Sequence, residues 1–352
     1  MCLRGIHKLD MRKAPEIPGH KSHAEMGLNM NILILSAGTR NKVVQYFKRE
    51  LAGEGKVIAS DCSDLAPAVY DADKFYLVPR IDEPGYIDVV LDICKKEKVD
   101  GVFSLIDPEL SLLAKEKERF LAIGTQPIIS PYDLVETCLD KYRMYRLLGD
   151  MGIPTGRCYV DKEAFYRGVE KGDISYPVFV KPVKGSASIH INKVYGEKEV
   201  EVLFDLYDDL MIQEFMDGTE YGADVYVDML SGKCTSIFVK EKIKMRAGET
   251  DKSVSVKDGK LFSLIEDFAE KCGFRGMIDI DIFKIGDVYY ISEVNPRFGG
   301  GYPHAYECGV NMPAQVIRNL KGEKNAEDIG NYEAGICMMK YSEVMIRRLS
   351  DK

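Results

Sequence analysis

The sequence contains no tryptophan and only 5 histidines in 352 residues, and three of them (His7, His20 and His23) precede the first apolar segment. His190 and His304 are all that remain for a folded part, too few for a histidine-based metal site. C-x-x-C does not occur, and the 9 cysteines are odd in number and scattered from Cys2 to Cys337. Neither a disulfide framework nor a zinc site is indicated, and the cysteines read as reduced and mostly buried. No apolar run approaches the length that crosses a bilayer, which argues against membrane insertion. A cationic excess is lacking too: 48 Lys and Arg stand against 56 Asp and Glu, a formal net charge of -8. A general nucleic-acid binder needs clustered Lys and Arg to meet a polyanion, so small-molecule chemistry is the better expectation. The remaining composition, 45% hydrophobic and 30% charged, suits a soluble cytoplasmic protein of two or three domains.

Residues 1–29 carry Arg4, Lys8, Arg12, Lys13, Pro15 and Pro18 but no apolar core of a secretory signal, and read as a disordered leader. From Met30 the pattern alternates. Ile32–Leu35 is apolar, Ser36-Ala37-Gly38-Thr39 turns, Val43–Leu51 has helical spacing and Val57–Ser60 is a second strand. With further buried strands near Val99–Ile106 and Pro127–Ile129, this predicts a parallel α/β layer over residues 30–130. One helix is expected from Asp133 to Met151, stopped by Gly152-Ile153-Pro154. It opens a unit of short strands ending near Phe215 (residues 131–215). Longer alternating strands follow in residues 216–325, with a hairpin over Met277–Val294. Residues 326–352 read as a polar, weakly patterned tail. The fold class is therefore α/β, passing to α+β in the C-terminal part.

The strongest local signal is Asp279-Ile280-Asp281-Ile282-Phe283, a turn at Ile285-Gly286-Asp287, then Glu293-Val294-Asn295-Pro296-Arg297. With a three-residue loop, odd positions pair with odd ones, and Asp279, Asp281, Glu293 and Asn295 share one face. Carboxylates so crowded repel unless a cation sits among them, and an all-oxygen set suits Mg²⁺ carried by phosphates. A solvated hairpin edge is the bland alternative. The run Gly299-Gly300-Gly301 adds backbone that a ligand could approach closely. A second signal is Val180-Lys181-Pro182-Val183-Lys184-Gly185-Ser186-Ala187-Ser188: a lysine ending an apolar strand before a small-residue loop offers an ammonium and N–H donors to phosphates. It is not a P-loop, and Lys181 alone reads equally as a solvated strand end. A third, weaker signal is Gln213-Glu214-Phe215 followed by Gly218-Thr219-Glu220.

Taken in order, Lys141, Lys181 and its loop, Gln213-Glu214-Phe215, Glu220, Asp281, Glu293-x-Asn295 and Arg297 resemble the ATP-grasp superfamily over about Asn31 to Leu320. Within it the chain is most similar to the ATP-binding units of the carbamoyl-phosphate synthase large chain and to stand-alone ligases. The resemblance implies an ATP-grasp fold with an N-terminal Rossmann-like preATP-grasp domain, a small α/β lid domain and a C-terminal ATP-grasp domain. It implies ATP phosphates on Lys141, Lys181, Lys184 and Ser186, adenine at Gln213, Glu214 and Phe215, and ribose at Glu220. Asp281, Glu293 and Asn295 would hold Mg²⁺ or Mn²⁺, and Arg297 and Arg246 would serve the transferred phosphoryl group. Asp281 departs from the Gln or Glu usual at the first metal position.

The activity implied is ADP-forming ligation, in which a carboxylate becomes an acylphosphate that an amine attacks. Carbamoyl-phosphate-synthase-like chemistry, carboxyphosphate formation or carbamate phosphorylation, is the alternative, although that large chain carries two ATP units and this one has length for one. A nucleotide-binding regulatory protein without turnover is another; the joint presence of Lys181, Glu293, Asn295 and Arg297 speaks against it. An NAD-linked oxidoreductase would need Gly38 and Asp61 without the G-x-G-x-x-G glycines. Arg40, Asp107, Glu109, Tyr302 and His304 are candidates for facing an acceptor, each with an equally good structural explanation. A homodimer is the default assembly.

Overall fold

The computed structural model describes residues 29–185 and 191–348. The predicted leader up to residue 28, and Ser186 with the rest of its loop, lie outside the described residues.

The first layer begins with β1 (Met30–Leu35), α1 (Asn41–Leu51), β2 (Gly55–Asp61) and β3 (Lys74–Leu77). It continues with α2 (Tyr86–Glu97), β4 (Gly101–Ser104), α3 (Asp107–Lys115), α4 (Lys117–Leu121) and β5 (Gln126–Pro127). The strands form a parallel sheet in the order β3-β2-β1-β4-β5. Ile32 to Leu35 are inaccessible because helices cover both faces of the sheet, which is why β1 reads as an unbroken apolar run. Chain direction across the sheet reverses between β1 and β4, so Ser36–Arg40 and Leu105–Asp107 leave the carboxyl ends of those strands side by side. Crevices for ligands open at such points in parallel sheets.

The expected single helix is two: α5 (Tyr132–Leu139) and α6 (Lys141–Asp150). Asp140 between them is extended, and its carboxylate accepts from the Tyr142 and Arg143 N–H groups at 3.1 and 3.0 Å. Asp140 thus caps a new helix in mid-run and leaves Lys141 as its first residue. Then come β6 (Cys158–Tyr159), α7 (Lys162–Glu170), β7 (Val178–Pro182), β8 (Asn192–Val194), α8 (Glu197–Leu206) and β9 (Leu210–Glu214). Their antiparallel sheet, β6-β9-β7-β8, has its own core of Phe165, Ile174, Val178, Val180, Val200 and Ile212.

The last layer holds β10 (Thr219–Val227), β11 (Cys234–Arg246), β12 (Glu249–Val256), α9 (Gly259–Cys272), β13 (Gly276–Ile285) and β14 (Val288–Asn295). After α10 (Tyr302–Glu307) and α11 (Met312–Leu320), β15 (Cys337–Met339) returns to pair with β12. The stretch that reads as weakly patterned thus supplies an edge strand of a six-stranded antiparallel sheet, β14-β13-β10-β11-β12-β15. One face of this sheet (Val225, Val239, Ile280, Ile291) packs on α6 and α9. The other contributes Tyr226, Phe238 and Met277 to a core shared with Ile32, Phe47 and Phe103 of the first layer. Phe103 stands 5.6 Å from Phe298, and Phe298 4.7 Å from Tyr302, carrying that core across the junction. Cysteines among the described residues are unpaired; Cys94, Cys138, Cys158 and Cys234 are buried, whereas Cys62 and Cys337 are exposed. Among the described residues no helix is long and apolar enough to cross a membrane.

Candidate functional site

Alternation on the six-stranded sheet gathers charge on the face that looks toward the first layer. The β13–β14 hairpin turns through Gly286 and Asp287 alone, since Ile285 pairs with Val288. A two-residue turn pairs odd positions with even ones, yet the register shifts between Asp281 and Ile282 and leaves Ser292 as the extra residue. This bulge restores Asp281 opposite Glu293 and Asp279 opposite Asn295. The expected juxtaposition is therefore present, produced by a bulge instead of a three-residue loop. On β10, Gly222 lies beside Asp281 and Asp224 beside Asp279; on β11, Lys240 lies beside Gly222.

The protein's own cations sit among these carboxylates. Lys242 Nζ donates to Asp281 Oδ1 at 2.6 Å and to Glu220 Oε1 at 2.9 Å. Lys240 is paired with Asp224, both side chains almost wholly inaccessible. Arg297 donates through Nη2 and Nε to Asp107 Oδ2 at 3.0 and 3.2 Å and through Nη1 to Asp279 Oδ2 at 3.4 Å. Repulsion among the acids is thus relieved in part by the protein's own ammonium and guanidinium groups. Burial raises the Asp281 pKa to about 6; Lys242 opposes that rise, while Asp279 and Glu293 add to it. Burial would lower the Arg297 pKa, but Asp107, Asp279 and Glu293 more than reverse this and lock the guanidinium in its charged form. Lys242 is held well above an ordinary lysine in the same way by Asp281, Glu220 and Asp279 against its own burial.

Two lysines, Lys141 at the start of α6 and Lys181 on β7, come next. Lys181 ends the apolar run of β7 buried, at 6% exposure, and so is not the solvated strand end that its sequence also allows. Lys141 Nζ donates to the Gly185 carbonyl, and its N–H to the Val183 carbonyl at 3.0 Å. Its pKa is lowered by burial and by Lys181 nearby, while Glu293 pulls it back up. Lys141 therefore feels the charges of both Lys181 and Glu293. Lys184 is exposed beside a bridge to Asp140.

Gln213 is buried on β9. The Glu214 N–H donates to the Arg157 carbonyl at 2.8 Å, and its carboxylate accepts from the Arg157 N–H at 3.0 Å. The Phe215 ring lies 5.7 Å from Phe179, with Lys193 Nζ 3.5 Å from its centroid. Arg246 is not brought to the carboxylates by any contact: it is exposed, opposite Glu249 in the β11–β12 hairpin.

The three glycines admit charged side chains of the protein itself. A Cβ on Gly299 would stand 2.5 Å from Asp279 Oδ1, one on Gly300 2.6 Å from Arg40 Nη1, and one on Gly301 2.7 Å from Lys240 Cε. Arg40 Nη1 pairs with Glu249 Oε1 at 2.7 Å, and Lys340 holds the other Glu249 oxygen at 2.8 Å. Asp107 starts α3 and meets Arg297. Glu109 is fully buried, accepting from Tyr86 and Ser104, and Tyr302 lies in the shared core. His304 is buried between Ser253 Oγ at 2.8 Å and the Ile336 carbonyl at 3.0 Å. Asp61, which a dinucleotide site would need, already accepts from the N–H groups of Gly38 and Ser63 at 2.9 and 3.0 Å. Lys240 and Lys242 escape sequence reasoning, because only the strand registers show which lysines face the acids.

Residues 138–301 match the ATP-grasp domain family, and residues 32–128 match the PylC-like N-terminal domain family. The chain contains an ATP-grasp domain over residues 138–301. The arginine-specific carbamoyl phosphate synthase large chain of Geobacillus stearothermophilus is 25% identical over 285 residues, which are 77% of this chain and 26% of that one. The chain thus spans about a quarter of that relative's length. Among solved structures, the biotin carboxylase domain of Hydrogenobacter thermophilus 2-oxoglutarate carboxylase, in complex with MgADP, ADP and bicarbonate, superposes with a TM-score of 0.71 at 17% identity. The match covers 87% of this chain and 73% of that one. The L-amino acid ligase of Bacillus licheniformis superposes with a TM-score of 0.63 at 20% identity, covering 85% and 75%. These likenesses bear out the expected ATP-grasp fold with its Rossmann-like first layer, lid sheet and C-terminal sheet.

Proposed function

We propose that this protein is an ADP-forming ligase that activates a small-molecule carboxylate as an acylphosphate and joins it to an amine. The observation that carries the proposal is that Glu293, whose side chain makes no hydrogen bond or ion pair with a described residue, stands opposite Asp281 in the hairpin, with Arg297 held by Asp107 and Asp279 and Lys141 close enough to feel the Glu293 charge. In this reading the Lys141 and Lys181 ammonium groups lie on one side of a cleft, and Glu293 and Arg297 on the other. Similarity to an L-amino acid ligase and to carboxylating ATP-grasp enzymes supports the same chemistry.

In this reading Lys141, Lys181, Lys184 and Ser186 hold nucleotide phosphates. Gln213, Glu214 and Phe215 frame the base, and Glu220 takes the ribose hydroxyls. Among the described residues no group of three or more His, Cys, Asp or Glu is arranged to bind an ion unaided. A magnesium ion carried by phosphates needs only one or two carboxylates, and the Glu293 and Asn295 side chains fit because neither makes a hydrogen bond or ion pair with a described residue. Asp281, opposite Glu293 in the hairpin, already holds the Lys242 ammonium. Bound at Glu293 and Asn295 with ATP, Mg²⁺ or Mn²⁺ would neutralise phosphate charge and orient the terminal phosphoryl group.

A carboxylate oxygen attacks the γ-phosphorus; the new O–P bond forms as the bond to the bridging oxygen breaks, leaving ADP. The amine nitrogen then attacks the acyl carbon, phosphate departs, and the amine proton passes to solvent or to the leaving phosphate. Arg297, fixed by Asp107 and Asp279, faces the charge that develops on the transferred group. Closure of the lid sheet would keep water from the acylphosphate. Arg246 is assigned a role at the acceptor side only in the closed form. A second reading, carbamoyl-phosphate-synthase-like activation of bicarbonate, is favoured by the similarity to that large chain. The test is ADP release with Mg²⁺ across pools of carboxylates and amines, with Glu293→Ala in parallel. ADP that appears only with a particular acid and amine supports the ligase, ADP with bicarbonate alone supports the second reading, and AMP rules out an acylphosphate.

A further inference from the structure

Lys242 is placed by a device that spans three strands. Its side chain is 3% exposed, and its Nζ lies 2.6 Å from Asp281 Oδ1 and 2.9 Å from Glu220 Oε1. Those acids stand on β13 and β10, so the lysine must cross β10 to reach them. It crosses at Gly222, where a Cβ would meet Lys242 Cε at 3.1 Å and Lys240 Cε at 3.2 Å. Any side chain there would crowd both stems. Lys240 goes on to Asp224, and Lys242 to Asp281 and Glu220.

The result is an asymmetric set of oxygens. Asp281 is already compensated by an ammonium group at hydrogen-bond distance, whereas Glu293 directly across the hairpin and Asn295 beyond it keep their side chains uncommitted. A divalent ion lodged between Asp281 and Glu293 would have to expel the Lys242 ammonium or sit against a like charge. On the Glu293 and Asn295 side Lys141 and Arg297 are near enough to be felt, but neither is at hydrogen-bond distance, so an ion completed by phosphate oxygens displaces no bonded cation there.

We propose that Lys242 is a built-in cation that substitutes for one divalent ion, so that this site takes a single ion per nucleotide, held on the Glu293 and Asn295 side. Lys242 is thereby a positioning residue: it fixes Asp281 and ties Glu220, at the ribose edge, to the metal edge. The inference rests on the nucleotide reading above and narrows it.

The experiment counts ions without relying on turnover. The full chain is saturated with ADP, ADP binding is verified by calorimetry, and bound Mn²⁺ is titrated by electron paramagnetic resonance. Wild type is expected to bind one Mn²⁺ per chain, Lys242→Met two, and Lys242→Arg one, since arginine restores the charge. Two ions on wild type overturn the proposal, as does a folded Lys242→Met protein that binds ADP and still holds one. Lys242→Gln, which keeps chain length and hydrogen bonding without charge, repeats the count if the methionine variant does not fold. Failure of wild type to bind ADP would overturn the nucleotide reading itself, an outcome separate from either ion count.

Discussion

Arg297 and Asp107, 190 positions apart, meet at 3.0 Å between the end of the β14 segment and the start of α3, both nearly shielded from solvent. This contact ties the C-terminal sheet to the crevice at the carboxyl ends of β1 and β4. Truncation at Asp107 leaves a buried guanidinium with Asp279 as its remaining hydrogen-bonded carboxylate, beside the Phe298 carbonyl. Asp107→Ala is expected to cost about 3 kcal/mol of stability, read as a shift in denaturant midpoint at unchanged slope. Activity should fall as well, because Arg297 is no longer aimed.

Glu293→Ala removes the uncommitted carboxylate without disturbing a hydrogen bond. Its fold and melting temperature should stay close to wild type, while ADP release falls by about 100-fold or more. Steady-state assay beside circular dichroism separates this outcome from unfolding; a variant with wild-type turnover would remove Glu293 from the site.

His304 predicts a pH dependence of stability. Burial and the nearby Lys240 charge lower its pKa from 6.5 to about 4. Between those values the unfolded chain binds a proton that the folded chain does not, so stability is full above pH 6.5 and declines as pH falls toward 4. The decline from this group is limited to about 3 kcal/mol. His304→Gln, which cannot titrate, should flatten the thermal-melt profile across that window even if it is less stable throughout.

Gly300→Ala would thrust a methyl group into the Arg40–Glu249 pair, at 2.6 and 2.7 Å from the nearest atoms of each. The expected cost is about 1 to 3 kcal/mol, read by calorimetry. Phe215→Ala, at a position read as meeting the base largely through its backbone, should leave ADP affinity in calorimetry and the bound-ion count close to wild type.

Much of this was legible in the residues. Ile32–Leu35 announced a buried parallel strand, and the alternation of Asp279, Asp281 and Glu293 with isoleucine and valine announced a charged face. The bulge at Ser292 was hidden because a hairpin's register depends on both strands, whereas the eye reads one at a time. Asp140 carried a readable capping signal that the apolar spacing from Asp133 to Met151 masked. Lys242 was beyond reach for a different reason: a lysine in KEKIK reads as solvent-facing until β11 is known to run beside Gly222. Arg246, expected among the phosphates, is exposed at a hairpin end, since nothing local constrains where a long strand's tip points.

The small sheet of β6 to β9 keeps its aromatic and aliphatic residues to itself, with Phe165 at the centre. The junction is α6: Met144 and Leu148 lie in the core beneath β14, whereas Tyr142 and Tyr145 pack on Cys158, Val183 and Met211 of the small sheet. A chain built this way has two cooperative units sharing one helix. Amide protons of β7 and β9 should exchange through openings that leave β10 and β13 protected. Substitutions at Phe165 would then retune how often the cleft is open, while the melting of the larger unit stays where it was.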